Sequence, residues 1–290
     1  MAVAELRLLS EEALDLLVSR IDEVSSLPAI CLQTIDVAND PDGDAELMTK
    51  VVETDIALSA RVMKEVNSSA AGLTTKASNL QQGIALLGMK AVRNLAIASN
   101  VCDLFQGGEE INKYSRSGLW KHMVAVGIGA RIYSNKNNMA DPEDAFLAGL
   151  LHDMGIVILD QKLHKRFTIM LDEMKPEQAQ IKWEKEYFGY DHTEIGFRVA
   201  QRWGLPKPIT EVIRDHHRGR MYGGSFGELM KCVEIANMAA TDVGLSSLGE
   251  KYGKTSKSAL DAFDMTPGEL TIFGKEISAT LEKHQNWLGE

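Results

Sequence analysis

The sequence is poor in cysteine, proline and long apolar runs, and each shortage removes a class of protein. Its three cysteines, Cys31, Cys102 and Cys232, stand too far apart for a disulfide framework or a thiolate zinc site, and read as buried reduced thiols of a cytoplasmic protein. Apolar stretches such as Gly149–Leu151 and Ile156–Leu159 are too short to span a bilayer. The start, Met1-Ala-Val-Ala-Glu-Leu-Arg, lacks the basic residues, apolar stretch and cleavage site of a secretion signal, so none is expected. Positive charge is also short: 31 Lys and Arg against 41 Asp and Glu leave a net −10. Neither duplex nucleic acid nor an anionic membrane surface is therefore the expected partner.

Seven prolines in 290 residues leave long uninterrupted stretches, and no sustained two-residue alternation of β-branched residues breaks the helical spacing. The fold class predicted is all-α. Helices are expected over Glu11–Arg20, from Leu27-Pro28 to Asn39, over Ala45–Val52, Ile56–Val66, Leu80–Leu87 and Lys90–Phe105, and from Pro267 to Trp287. The polar run Gln106–Lys113, with its paired glycines, marks a boundary. A three-part organisation follows: an N-terminal helical subdomain over 1–106, a helical core over 107–243, and a C-terminal loop and helix over 244–290 packing on that core. The thirteen methionines read as fillers of irregular core space.

The histidines are unevenly placed. None precedes His122, and six of the seven fall between His122 and His217. His122 sits on a largely apolar helix. Asp141-Pro142-Glu143-Asp144 is a strong helix start, and the helix it opens carries Ala145, Ala148, Gly149 and His152 on one face, small enough for a neighbour to approach closely. Asp153 follows, and Gly155 is expected to end or kink that helix. Asp191 and Glu194 have capping-box spacing, which puts His192 in a first helical turn. Ile209, Val212, Ile213 and His216 share one stripe, and Met230, Val233, Asn237 and Ala240 another, so His216 and Asn237 are predicted to face inward. Taken singly, each imidazole reads as a satisfied core or surface residue. Five of them with Asp153, at helix ends and inner faces, point instead to a metal site: imidazole and carboxylate suit Fe, Mn, Ni or Zn where thiolates are absent.

The run Gly149-Leu-Leu-His-Asp-Met-Gly155, with His122 before it and His216-His217 after it, resembles the HD superfamily of helical metal-dependent phosphohydrolases. Leu27-Pro28-Ala-Ile, Asp55-Ile-Ala-Leu-Ser-Ala-Arg-Val-Met-Lys-Glu-Val-Asn67-Ser68 and Gly83-Ile-Ala-Leu-Leu-Gly88 narrow the resemblance to its HD-related output domain (HDOD) branch. Tyr190-Asp-His192-Thr-Glu-Ile-Gly196 and Arg202-Trp203-Gly-Leu-Pro206 are similar to the same branch, and the resemblance runs from about Leu17 to Asp242. It implies an HD-type helical bundle with an N-terminal helical subdomain, in a bacterial signalling component working through contacts with other signalling proteins. It also implies a ligand set of His122, His152, Asp153, His192, His216, His217 and, at the late-helix position, Asn237, holding one or two divalent transition-metal ions.

Departures from the active pattern decide between two expectations. Active HD enzymes carry an Asp where this chain has Asn237, an amide and a weaker ligand; Asp242 lies off that stripe. The cyclic-dinucleotide phosphodiesterase branch has a Lys where this chain has Ile156, and its Gly-Tyr-Pro loop is replaced by Arg218-Gly-Arg220-Met-Tyr-Gly-Gly224. The first expectation is accordingly a non-catalytic signalling module whose degenerate pocket is either vestigial or holds a metal or ligand structurally. The alternative is a metal-dependent phosphohydrolase acting on a nucleotide or cyclic dinucleotide, with Asp153 essential and the ions relieving charge on the phosphoryl group.

Overall fold

The computed structural model describes residues 9–19, 27–68, 75–112, 114–175, 179–217, 226–249, 260–261 and 263–287. Among them no strand forms, the only β pairing being an isolated bridge between Ile111 and Tyr114. The fold is all-α. No described helix is long and apolar enough to cross a membrane.

The chain divides into two compact units. One comprises Leu27–Leu104 and the chain end from Ala279. It contains α2 (Ala29–Asn39, after α1 below), α3 (Ala45–Val52), α4 (Ile56–Val66), α5 (Leu80–Leu87) and α6 (Met89–Val101), which passes into a 3-10 turn over Cys102–Phe105. Three of these starts are fixed by side chains: Asp44 accepts from the Leu47 amide, Asp55 from Leu58 and Asn79 from Gln82, at 2.7–2.9 Å. Each such cap is worth about 1 kcal/mol. Gly88, at φ 88°, makes the turn between α5 and α6 in a conformation that side chains disfavour. Cys31, Met48, Val52, Val62, Ile84, Val92 and Ile97 are wholly buried and form the core.

The other unit comprises α1 (Glu11–Ser19) with Phe105–Ser278. The grouping differs from the sequence boundaries at both ends, since α1 belongs with the histidine-bearing helices and the chain end with α2–α6. Arg198 ties α1 down through Asp15 at 2.6 Å and Glu11 at 3.2 Å. The centre is α7 (Arg116–Asn137), packed on α8 (Pro142–Leu151) and α13 (Gly227–Asp242). Contact with α8 is backbone against backbone: a Cβ on Gly149 would lie 2.9 Å from Gly127 Cα, as the small-residue face predicted. Around these stand α9 (Met154–Glu173), α10 (Gln180–Phe188), α11 (His192–Arg202) and α12 (Lys207–Asp215), with most of α14 (Pro267–Leu281) following; its last residues and the 3-10 turn over Glu282–Trp287 group with α2–α6.

Gly155 neither ends nor kinks α8. That helix stops at Leu151, His152 and Asp153 make the turn, and Gly155 is the second residue of α9. The expected helices Lys90–Phe105 and Pro267–Trp287 each finish as a 3-10 turn instead of running on as α-helix. In both, the tighter winding satisfies terminal carbonyls that would otherwise be left open.

Candidate metal centre

Four helix ends meet in one place. His122 comes from the second turn of α7, His152 and Asp153 from the turn between α8 and α9, His192 from the first residue of α11, and His216 and His217 from the residues after α12. His122, His152, Asp153, His192 and His216 are buried, while His217 is exposed at the edge. Asp153 occupies the N-cap position of α9 yet caps nothing; its carboxylate is turned to the imidazoles. Asp191, at the same position of α11, does cap, accepting from the Glu194 amide at 3.1 Å. The capping box is half formed there, because the Glu194 carboxylate faces Arg198.

Asp153 is the hub. Its Oδ1 lies 3.2 Å from Nε2 of both His192 and His216, and its Oδ2 lies 3.3 Å from His152 Nε2 and 3.5 Å from His122 Nε2. His192 Nε2 is in turn 3.1 Å from His217 Nε2 and 3.4 Å from His216 Nε2. Two groups of ligand atoms result, Asp153 with His192, His216 and His217, and Asp153 with His122 and His152; within each, all atoms lie within 4.8 Å of one another.

The opposite ring nitrogens explain this orientation. The Nδ1–H of His122 donates to the Leu245 carbonyl at 2.8 Å, that of His152 to Gly149 at 2.7 Å, and that of His216 to Ile213 at 3.0 Å. His192 donates from Nδ1 to the Glu184 carboxylate at 2.6 Å. Such partners fix the tautomer and turn each Nε2 lone pair inward, the arrangement found around metal-ligating histidines. The Nε2 atoms of His122 and His152 and the Oδ1 of Asp153 are buried without a hydrogen bond. Buried polar atoms left so are costly, and an ion between them would satisfy all three.

The charges agree. Burial alone would raise the Asp153 pKa, but the imidazoles of His152, His122 and His192 outweigh it and hold the carboxyl well below its usual range. Burial would likewise keep His192 neutral, but Glu184 and Asp153 prevail and hold it well above the ordinary imidazole value. His216 is pushed down, first by burial and against the pull of Asp153. The carboxylates of Asp153 and Glu184 thus face the cluster with negative charge, while His216 is favoured in the neutral form, the one in which an imidazole can ligate a metal. Imidazole and carboxylate donors without thiolate match Fe, Mn, Ni or Zn.

His122, His152, Asp153, His192, His216 and His217, all read from the sequence, converge here. Asn237 is half-buried on α13, where its amide oxygen faces the Thr241 hydroxyl at 3.5 Å. Asp242 is exposed and accepts from Thr271 at 2.6 Å, so it supplies no substitute ligand. Ile156 is buried at the start of α9. Arg218 and Arg220 lie outside the described residues. Sequence reasoning missed Glu184, which sits in the charged run Gln180-Ile-Lys-Trp-Glu-Lys-Glu186 and reads there as solvated surface; it is fully buried. The Leu245 carbonyl was equally invisible, since every residue type offers one.

Comparison with known proteins places this geometry. The model of the HDOD domain matches residues 24–219, well over half of the chain. The chain belongs to the HDOD family. The HDOD match is narrower than the resemblance drawn from motifs, and Asn237 lies beyond its end. An uncharacterized protein of Treponema pallidum (strain Nichols) is 26% identical over 222 residues, which cover 76% of this chain and 42% of that protein. The chain therefore spans less than half the length of that relative. Among solved structures, an HDOD protein of unknown function from Geobacter sulfurreducens superposes with a TM-score of 0.71 at 24% identity, covering 97% of this chain and 98% of that one. A candidate phosphohydrolase from Shewanella amazonensis SB2B gives 0.69 at 21% identity over 94% and 97%. A candidate signal transduction protein from Marinobacter aquaeolei VT8 gives 0.72 at 20% identity over 99% of this chain and 63% of its own. At these identities the superpositions establish the shared helical fold.

Proposed function

We propose that this chain is a signalling module of the HDOD type whose pocket holds divalent transition metal through His122, His152, Asp153, His192, His216 and His217, and which acts on other signalling proteins by contact in the cytoplasm. The observation that carries the metal reading is the inward convergence of the Nε2 atoms of His122, His152, His192 and His216, each fixed from behind, on a buried carboxylate that caps no helix. A structure that needed these side chains only for packing would gain nothing by giving up the cap, worth about 1 kcal/mol. Two features favour a structural over a catalytic metal. The late-helix ligand position holds an amide engaged with Thr241, and the position after Gly155 holds buried Ile156, which offers no proton or charge to a departing group.

The second reading is a metal-dependent phosphohydrolase acting on a nucleotide or cyclic dinucleotide. The sharing of Asp153 between two ligand groups favours it, because two ions held there would supply charge to both the attacking and the departing oxygen of a phosphoester displacement. The candidate metal-dependent phosphohydrolase from Shewanella amazonensis SB2B, with a TM-score of 0.62 at 18% identity, shares the fold.

One set of measurements tests both. Elemental analysis of the purified protein is expected to find Fe, Mn, Ni or Zn. Incubation with cyclic dinucleotides and nucleotides in added Mn²⁺ is expected to give no turnover above a D153A control. Turnover that D153A abolishes would replace the signalling reading with the enzymatic one, and absence of metal together with no affinity on titration would sink both.

A further inference from the structure

The four imidazoles that meet Asp153 are not supported alike. Those of His122, His152 and His216 lean on peptide carbonyls. His192 alone leans on a charged group, the carboxylate of Glu184. Glu184 is wholly buried at the middle of α10, and three donors hold it. Its Oε2 accepts both from the His192 Nδ1–H at 2.6 Å and from the His192 backbone amide at 2.8 Å. Its Oε1 accepts from Gln180 Nε2, one turn earlier on the same helix, at 2.7 Å.

Burying a carboxylate is expensive unless its charge is answered. Capping α11 does not require that charge: a neutral acceptor serves an N-terminal amide, and Asp191 already satisfies the amide of Glu194. The remaining use lies across the ring. A carboxylate behind an imidazole draws its Nδ1 proton and makes Nε2 a stronger donor, an effect that a peptide carbonyl exerts more weakly.

We propose that Glu184 is a positioning residue for His192, and that it gives the half of the pocket formed by Asp153, His192, His216 and His217 a higher metal affinity than the half formed by Asp153, His122 and His152. The inference rests on the metal-binding reading and deepens it. The two halves differ as loading sites: the first fills at low metal concentration, the second only when metal is abundant. In a signalling protein such a difference lets two concentrations of one ion give two states.

The test is Co²⁺ titration of the full chain, followed both by calorimetry and by the visible d–d absorption of the bound ion. Wild type is expected to show a tight and a weak phase. E184Q keeps the volume and an acceptor for the His192 amide but loses the charge. It is expected to weaken the tight phase about 10–100-fold, to alter its absorption, and to leave the weak phase unchanged. E184D is expected to recover part of the affinity, and Q180A, which frees Oε1 without discharging it, to weaken the tight phase by less than E184Q. Those two variants carry the test should E184Q fail to fold. A folded E184Q with wild-type affinity and spectrum would overturn the proposal while leaving the metal reading intact. Wild type that binds no Co²⁺ would remove both.

Discussion

The peptide of His192 lies against Gly155: a Cβ on Gly155 would come 2.0 Å from the His192 carbonyl oxygen and 2.7 Å from its carbonyl carbon. No side chain fits there. This contact sets the start of α9 against the start of α11, and so sets Asp153 against the His192 ring. Gly155→Ala must separate the two helix starts. A loss of at least about 2 kcal/mol in urea denaturation is expected, with weaker metal binding. A variant with wild-type stability and wild-type metal affinity would show that the two starts can part without cost.

Asp153 is the one residue common to both groups of candidate ligands. Asp153→Asn keeps its size but removes the charge that answers the ions, so metal content after purification is expected to fall at both halves of the pocket, whereas His122→Ala is expected to affect one. Elemental stoichiometry of the two variants beside wild type checks this. Full metal content in D153N would mean that the carboxylate is dispensable.

Chelation is expected to destabilise the protein without unfolding it, because the core of the histidine-bearing unit is built largely of apolar side chains. An ion present at about 100 times its dissociation constant adds about 2.7 kcal/mol to the folded state. For a chain of this size its removal lowers the melting temperature by several degrees, about 2–4 °C per kcal/mol at most. Equal melting curves with chelator and with added Mn²⁺ would count against an occupied site.

The three thiols are expected to differ in reactivity. Burial pushes the Cys31 thiol up to about 12 and Cys232 up to about 11, and Cys102, half-buried, is raised too, by burial first and Asp103 next. At pH 8 a thiol at 12 is about one part in ten thousand thiolate. Alkylation of the native protein followed by peptide mass spectrometry should therefore label Cys102 first and Cys31 last. Labelling of Cys31 at the rate of Cys102 would show that α2 and α6 open readily around it.

Another buried carboxylate, outside the cluster, serves structure alone. Asp160 accepts from Tyr114 at 3.1 Å, from Arg116 at 2.6 Å and from His164 at 2.7 Å, pinning the chain entering α7 to the middle of α9. Asp160→Ala strands a buried phenol and most of a guanidinium, and is expected to cost about 3 kcal/mol, with metal affinity preserved. A change below about 1 kcal/mol in chemical denaturation would mean that water replaces the carboxylate.

Much of this molecule could be read in one dimension. Helical spacing and scarce proline gave the all-α class, and the bounds Ala45–Val52, Ile56–Val66 and Leu80–Leu87 appear as expected because caps and turn residues act within a few positions. Residue type marked the histidines of the cluster for the same reason: an imidazole at a helix end or on an apolar stripe is conspicuous wherever it occurs. Glu184 was not legible, because in a run of charged residues nothing local separates the carboxylate that faces water from the one that faces a ring.

The sequence by itself determined helices, their starts and the inventory of imidazoles, all properties of neighbours within a turn or two. Tertiary structure alone decided that α1 joins the histidine-bearing helices, that Asp153 forgoes its cap, and that Leu245 and Glu184 stand behind the rings of His122 and His192. Those outcomes depend on contacts between residues far apart along the chain, where close packing selects one arrangement among many that local preference leaves equal.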